Sequence, residues 1–260
     1  MCLLVLAWEA HPRYRLIVAA NRDEYHERPA APLGKWALPD AILAGRDLRA
    51  GGTWLGIDRG RRFGVVTNFR ELQRPLPEAP SRGGLVPAYL RGTVGAGAYL
   101  AALQPTAQAY SGFNLLLADE RSLWYASNRA PNFARALEPG VYGLSNEFLD
   151  TPWPKLQRVR RRFDAWLAAP SPAPATELFE ILADPTRAGA GEQLPRTGLS
   201  HEWEQVLSSA FVIHPQYGTR CSTVLLLEDS GAFCIAERRF DSSGAVNGET
   251  ALSVEAGSWP

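Results

Sequence analysis

Two short apolar runs, residues 2–9 and Tyr14-Arg15-Leu16-Ile17-Val18-Ala19-Ala20, stand on either side of His11-Pro12-Arg13. Their length and apolar character, with a turn-forming segment between them, read as a hairpin of two buried strands. The first strand then begins at Cys2. Asn21-Arg22-Asp23-Glu24 follows at the expected end of the second strand, where polar side chains replace apolar ones at once. Antiparallel pairing returns that end towards residue 2, so Asp23 is expected near Cys2.

Methionine aminopeptidases remove Met1 when the next side chain is small, so the mature chain is expected to begin with Cys2. Such a residue carries a nucleophile and its base together. An α-amino group with a pKa of about 7.7–8.0 can take the proton of a thiol of about 8.5 near neutral pH. Position alone is weak support, because a free cysteine commonly serves as a small core hydrophobe. More weight comes from polar residues that recur where apolar runs stop: Asn21 and Asp23, Asn68, Asn146 and Arg220. An Asn amide at a strand end can donate to an oxyanion without changing charge. Asp23 can hold the α-ammonium, and Arg220 can lower the thiol pKa or bind an anionic group. Each also has an ordinary role, as a turn residue, a cap or a solvated charge, and it is their occurrence together with Cys2 that favours chemistry.

Gly51–Ile57 and Arg62–Phe69 read as a second hairpin turning through Asp58-Arg59-Gly60-Arg61. Further strands are expected at 112–118, 122–127, 141–145, 222–228 and 232–238. Helices are expected at 84–103, 153–169 and 175–184, the second from Trp153, Leu156, Val159, Phe163, Trp166 and Leu167 at helical spacing. The stretches 74–80, 170–174 and 188–191 read as surface loops. Strands at both ends enclosing helices imply one α+β domain over 1–260 with stacked layers and mostly antiparallel sheets.

Lys+Arg and Asp+Glu both number 27, so no net charge draws the chain to nucleic acid or an anionic membrane. No GxxxxGK[ST], GxGxxG or CxxC motif occurs, and the four histidines lack metal-ligand spacing, so no cofactor and no metal are expected. His26 and His214 read as ordinary surface histidines rather than haem ligands. Three unpatterned cysteines, Cys2, Cys221 and Cys234, fit a reducing compartment. The N-terminal apolar run lacks a basic flank and ends at Glu9, which is neither a signal peptide nor a membrane span. A cytoplasmic protein without integral membrane association is expected.

Ala19-Ala20-Asn21-Arg22-Asp23-Glu24, Gly51-Gly52-Thr53-Trp54-Leu55-Gly56, Thr67-Asn68, Gly112-Phe113-Asn114-Leu115-Leu116, Tyr142-Gly143-Leu144-Ser145-Asn146, Thr151-Pro152-Trp153 and Tyr217-Gly218-Thr219-Arg220 occur in that order. This series resembles the transport and Golgi organisation protein 2 family, also called the NRDE family, from residue 2 to Glu237-Arg238. The resemblance implies links to secretion and Golgi organisation, acyl-CoA and lipid metabolism, and haem trafficking.

More distantly, Cys2, Asn21-x-Asp23, Asn68, Asn146 and Arg220 are similar in order and spacing to the choloylglycine hydrolase and penicillin V acylase group of N-terminal nucleophile hydrolases. That likeness implies a four-layer αββα sandwich. It makes Cys2 the nucleophile with its own amine as base, and Asp23 the residue that orients the amine. Asn68 and Asn146 contribute to an oxyanion site, and Arg220 completes the electrostatics around the thiol. Asn21, Arg22, Trp54 and Tyr217 are candidates for substrate binding. Those enzymes often place Arg immediately before the Asn-x-Asp, whereas here that position is Ala20 and Arg22 lies inside the motif. Two functions are therefore expected in competition. One is an N-terminal-cysteine hydrolase of a small acyl amide or thioester; the other is a non-catalytic carrier or chaperone for a lipophilic ligand, acyl-CoA or haem, on a hydrolase-like scaffold.

Overall fold

The computed structural model describes residues 2–37, 39–71, 79–169 and 175–260, and of Cys2 the backbone. Of the loops expected at 74–80 and 170–174, all but residues 79 and 80 lie outside the described residues. The first strands are β1 (Cys2–Trp8), β2 (Tyr14–Tyr25), β3 (Ala30–Lys35), β4 (Ile42–Asp47), β5 (Leu55–Asp58) and β6 (Phe63–Asn68). Next come α1 (Leu85–Arg91), α2 (Ala96–Leu103), β7 (Phe113–Ala118), β8 (Leu123–Ser127), β9 (Ala134–Leu137) and β10 (Gly140–Leu144). α3 (Pro154–Leu167), α4 (Ala175–Leu182) and α5 (His201–Val206) lead to β11 (Tyr217–Glu228), β12 (Phe233–Phe240) and β13 (Val246–Val254). Among the described residues, no helix is long and apolar enough to cross a membrane.

The chain divides into two compact units, one of Met1–Glu27, Pro139–Ser145 and Leu149–Ser258, the other of Arg28–Glu138, Asn146–Phe148 and Trp259–Pro260. The first unit is built on a 6-stranded antiparallel sheet in the order β10-β1-β2-β11-β12-β13. Alternation along its strands sends Leu3, Val5, Ala7, Ile17, Ala19, Val224 and Leu226 to one face, where they pack with Leu156, Val159, Phe163 and Trp166 of α3 and with Leu178 and Leu182 of α4. α3 forms where the apolar spacing predicts it, and Pro154 occupies its first turn, a position that needs no backbone donor.

The second unit is a 7-stranded antiparallel meander, β3 to β9 in chain order. Leu85, Val86, Tyr89 and Leu90 of α1 and Ala96, Leu100 and Leu103 of α2 pack with Ile42, Ala44, Val66, Leu115 and Leu117 of its strands. The α+β expectation with antiparallel sheets holds, and the β5–β6 hairpin turns where expected, with Arg61 at φ 64 in the turn and Asp58 N–H bonded to the Arg62 carbonyl.

Three expectations need correction. The second strand does not stop at Ala20; β2 runs to Tyr25 and carries Asn21-Arg22-Asp23 through its interior, because β11 supplies partners for the polar groups. Residues 84–103 form two helices, because Gly92 and Gly95 interrupt the run and the Arg62 guanidinium caps the first, donating to the carbonyls of Gly92, Tyr89 and Val94. Gly51 to Trp54 precede rather than form β5, since Gly51 is left-handed at φ 76. Gly52 meets Gly83 so closely that an added Cβ would stand 2.1 Å from the Gly83 carbonyl oxygen, while one on Gly84 would meet nothing within 4 Å. Gly52→Ala is therefore expected to lower unfolding free energy in urea by about 3 kcal/mol, and Gly84→Ala to leave it within about 0.5 kcal/mol.

Candidate functional site

In the first unit, β1, β2 and β11 place Cys2, Arg22 and Cys221 in one cross-strand row, Cys2 paired with Arg22 and Arg22 with Cys221. Two strand spacings separate the Cα atoms of the cysteines by about 10 Å, beyond the ~7 Å that a disulfide can bridge. Asp23 lies one residue past the partner of Cys2 on β2. The hairpin thus brings Asp23 and the head of β1 to the same end of the sheet.

Asn21 and Asp23 are both 1% exposed, and both are tied to their surroundings through side-chain atoms. The Asn21 amide donates to the carbonyls of Leu182, at the end of α4, and Ala210, each at 2.9 Å, and its Oδ1 accepts from the Ser222 hydroxyl at 2.6 Å. Asp23 Oδ1 accepts from the Thr219 hydroxyl at 2.7 Å, and Thr219 Oγ1 accepts in turn from the Val212 N–H. The Asp23 backbone carbonyl accepts from the Tyr217 hydroxyl at 2.9 Å.

The pairing of β11 with β2 is irregular between Thr219 and Cys221, so Arg220 is the extra residue of a β-bulge. A bulge re-aims one side chain without breaking the strand. The Arg220 guanidinium donates through Nη1 to the carbonyls of Tyr25 at 2.8 Å and His26 at 3.1 Å. Burial lowers its proton affinity, and the charge of Arg22 lowers it further. Arg22 is itself 5% exposed, with its Nη2 at 4.0 Å from Glu24 Oε2. Two guanidinium groups that feel one another electrostatically, one of them in register with Cys2, favour an anion beside them.

Tyr217 is buried, its ring edge-on to Tyr25 at 5.2 Å and to Trp203 at 6.3 Å between centroids. His26 Nε2 bonds the His214 carbonyl at 3.0 Å, and the His214 ring lies 4.9 Å from that of Trp203. Among the described residues, no group of three or more His, Cys, Asp or Glu is arranged to hold a metal ion.

In the second unit the structure brings Asn68 and Asn146 together. The Asn146 amide donates to the Asn68 carbonyl at 2.8 Å, and the Arg70 N–H donates to the Asn146 carbonyl at 2.6 Å. The segment is held by the fully buried Asn114, which donates to the Glu147 carbonyl at 2.8 Å and accepts from the Tyr125 hydroxyl at 2.8 Å. The half-buried Asn68 side chain has no hydrogen-bond partner among the described residues. Trp54 lies half-buried in this unit: its carbonyl accepts from Val66 N–H, and its ring lies where a Cβ on Gly45 would be.

Thr219, Ser222 and Asn114 are the supporting residues that sequence reasoning missed. Thr219 and Ser222 stand opposite Asp23 and Asn21 in register, so only the β2–β11 pairing reveals them.

A conjugated bile acid hydrolase from Clostridium perfringens superposes with a TM-score of 0.51 at 8% identity, covering 97% of this chain and 92% of that one. A second variant of that hydrolase gives 0.51 at 10% identity over the same shares. The fold is that of the N-terminal nucleophile hydrolases, as the αββα expectation required. In sequence, residues 1–242 match the family Transport and Golgi organisation 2. The bovine Transport and Golgi organization protein 2 homolog is 33% identical over 273 residues, covering 96% of this chain and 97% of that one. The human homolog is 32% identical over 96% of this chain and 97% of its own, and the Drosophila melanogaster protein 26% identical over 88% of each. The chain belongs to the Transport and Golgi organisation 2 family.

The hydrogen bonds of Asn21 make a test of its structural share. Asn21→Ala leaves the Leu182 and Ala210 carbonyls and the Ser222 hydroxyl without that partner in the interior, and is expected to cost about 3 kcal/mol of unfolding free energy by chemical denaturation.

Proposed function

We propose that the chain is an N-terminal-cysteine hydrolase of a small acyl amide or thioester, with Cys2 as nucleophile after removal of Met1. The observation that carries this reading is the register of Cys2 with the buried Arg22, with the buried Asp23 one residue further on. The α-amine of Cys2 takes the thiol proton as sulfur attacks the acyl carbon, and Asp23 holds the resulting ammonium. The tetrahedral oxyanion receives an amide donor from Asn68, and Asn146, whose own amide holds the Asn68 carbonyl, contributes to that side of the site by fixing it, as the order of these residues in the chain suggests. The ammonium then protonates the departing amine or thiol, leaving an acyl thioester on Cys2. Water, deprotonated by the same amine, attacks that thioester and releases the acid. Arg22 and Arg220 stabilise negative charge at the thiolate, and the substrate is a small molecule met in the cytoplasm.

A second reading, a carrier for a lipophilic ligand such as acyl-CoA or haem, is favoured by Ala20, which stands where the hydrolases often hold an arginine. Intact-protein mass spectrometry after exposure to activated acyl esters and acyl thioesters separates the two. The hydrolase is expected to lack Met1 and to gain one acyl group mapping to Cys2, and Cys2→Ala to remain folded with neither adduct nor turnover. Full turnover by Cys2→Ala, or a processed Cys2 that never acylates, overturns the hydrolase and leaves the carrier. Asn68→Ala is expected to lower kcat about 100-fold with little change in stability.

A further inference from the structure

A sheet edge offers unpaired N–H and C=O groups to any passing strand, and folded chains blunt such edges. Three of the four edges here are blunted. β10 is covered within its own unit: Asp150 accepts the Gly143 N–H through its side chain at 2.8 Å and donates its own N–H to the Gly143 carbonyl at 2.7 Å, while Arg160 donates to the Val141 carbonyl at 2.7 Å. β3 contains Pro32 and is irregular between Ala31 and Gly34, and β9 has only 4 residues. β13 is blunted only near its start, by an irregularity between Val246 and Gly248 and a long contact from the Arg239 guanidinium to the Glu249 carbonyl. It is 9 residues long, has neither Pro nor Lys, and among the described residues pairs only with β12. Asn247, Glu249, Ala251 and Ser253 are exposed along it, and Val246 is 53% exposed.

We propose that β13 is a dimer interface, pairing antiparallel with β13 of a second copy so that the two 6-stranded sheets become continuous. The strand's own residues select the partner and the register. Hydrogen-bonding groups alternate between the two edges of a strand, so a two-fold axis must set one residue opposite its own copy. The irregularity at the start of β13 ends at Gly248, leaving Gly248–Val254 regular. An axis at Glu249 sets two carboxylates face to face, which is unfavourable. An axis at Thr250 pairs only Gly248 to Leu252. An axis at Ala251 pairs the whole regular stretch, joins two small side chains at the centre, and twice sets Glu249 opposite Ser253, whose hydroxyl can donate to the carboxylate. Glu249 is the only charge in the strand, so no like charges meet in this register.

Sedimentation of the full chain is expected to give a mass near twice 28.5 kDa. Ser253→Glu, which sets a second carboxylate opposite Glu249 at two symmetric places, is expected to raise the dimer dissociation constant about tenfold or more, and Ser253→Lys to leave it unchanged or lower it. Because Ser253 is exposed, both variants are expected to keep the parent's thermal stability as monomers. With Cys234→Ser as background, Ala251→Cys is expected to cross-link as a dimer on mild oxidation, where the background chain alone does not. A chain that stays monomeric at its highest soluble concentration overturns the proposal. So does a dimer that Ser253→Glu leaves intact, or one that Ser253→Lys weakens equally.

Discussion

The antiparallel pairing of β2 with β11 carries the first unit. Both strands are 12 residues long, and each is central, with β1 on one side of β2 and β12 on the other side of β11. Their middle portions are apolar on both faces, which is how a strand buried on both sides should read. Towards one end the pair changes character. There β2 carries Asn21, Arg22 and Asp23, and β11 answers with Ser222, a bulge at Arg220, and Thr219. A buried carboxylate or amide without partners costs a few kcal/mol, so these polar residues stay in the strand because β11, together with the Leu182 and Ala210 carbonyls at Asn21, satisfies them. One pairing therefore both extends the sheet and holds the Asn-x-Asp whose central Arg22 is in register with Cys2.

Much of the architecture was legible from periodicity. The two hairpins, β7, β8, β12 and α3 fall within a few residues of where alternation and helical spacing put them, and Asp23 was placed beside the head of β1 by hairpin geometry alone. The misreadings have physical causes. Asn21-Arg22-Asp23 read as a strand end because polar residues normally leave a buried strand, and the groups that keep them inside lie some 200 positions away in the chain. α1 and α2 read as one helix because their apolar spacing runs on across Gly92, and the Arg62 guanidinium that ends α1 comes from a hairpin. β3, β4 and β13 were missed because Pro32, Gly34, Gly45 and Gly248 break up the alternation, and β9 because 4 residues are too few to show one. At the candidate site, the polar residues singled out at 21, 23 and 220 are ones that the β1–β2–β11 pairing brings to one end of the sheet. The supporting hydroxyls of Thr219 and Ser222 were not legible, since nothing local distinguishes them from other strand residues.

The first unit is assembled from three separate stretches of chain, and its pairings are long-range. β1 needs β10, and β2 needs β11, before either of the first two strands has both neighbours. The β1–β2 hairpin is local, but its burial waits on elements from the far end of the sequence. Such non-local pairing is slow to form, because loop closure must be met before the contacts that reward it. The second unit has the opposite character, a meander in which every strand pairs with its neighbours in sequence. The polar end of the first sheet, where Cys2 stands opposite Arg22, thus depends on the non-local β2–β11 pairing, whereas the second unit rests on pairings between neighbours in sequence.

The polar candidates divide by what their side chains already do. Asn21 uses its amide and its oxygen within the fold, Asp23 is gripped through Thr219, and the Asn146 amide binds the Asn68 carbonyl. These bonds orient backbone and side chain in the resting protein, which is the work of positioning residues. The Asn68 side chain is different. It stands at the end of β6, half-buried, with its backbone fixed on both sides by Asn146 and by pairing with Phe113, yet its amide meets no acceptor among the described residues. An oxyanion donor must be of this kind, rigidly placed but uncommitted, because a donor already satisfied in the ground state has nothing further to give as charge develops. Half-burial makes that idleness tolerable, since water can serve the amide in the resting protein.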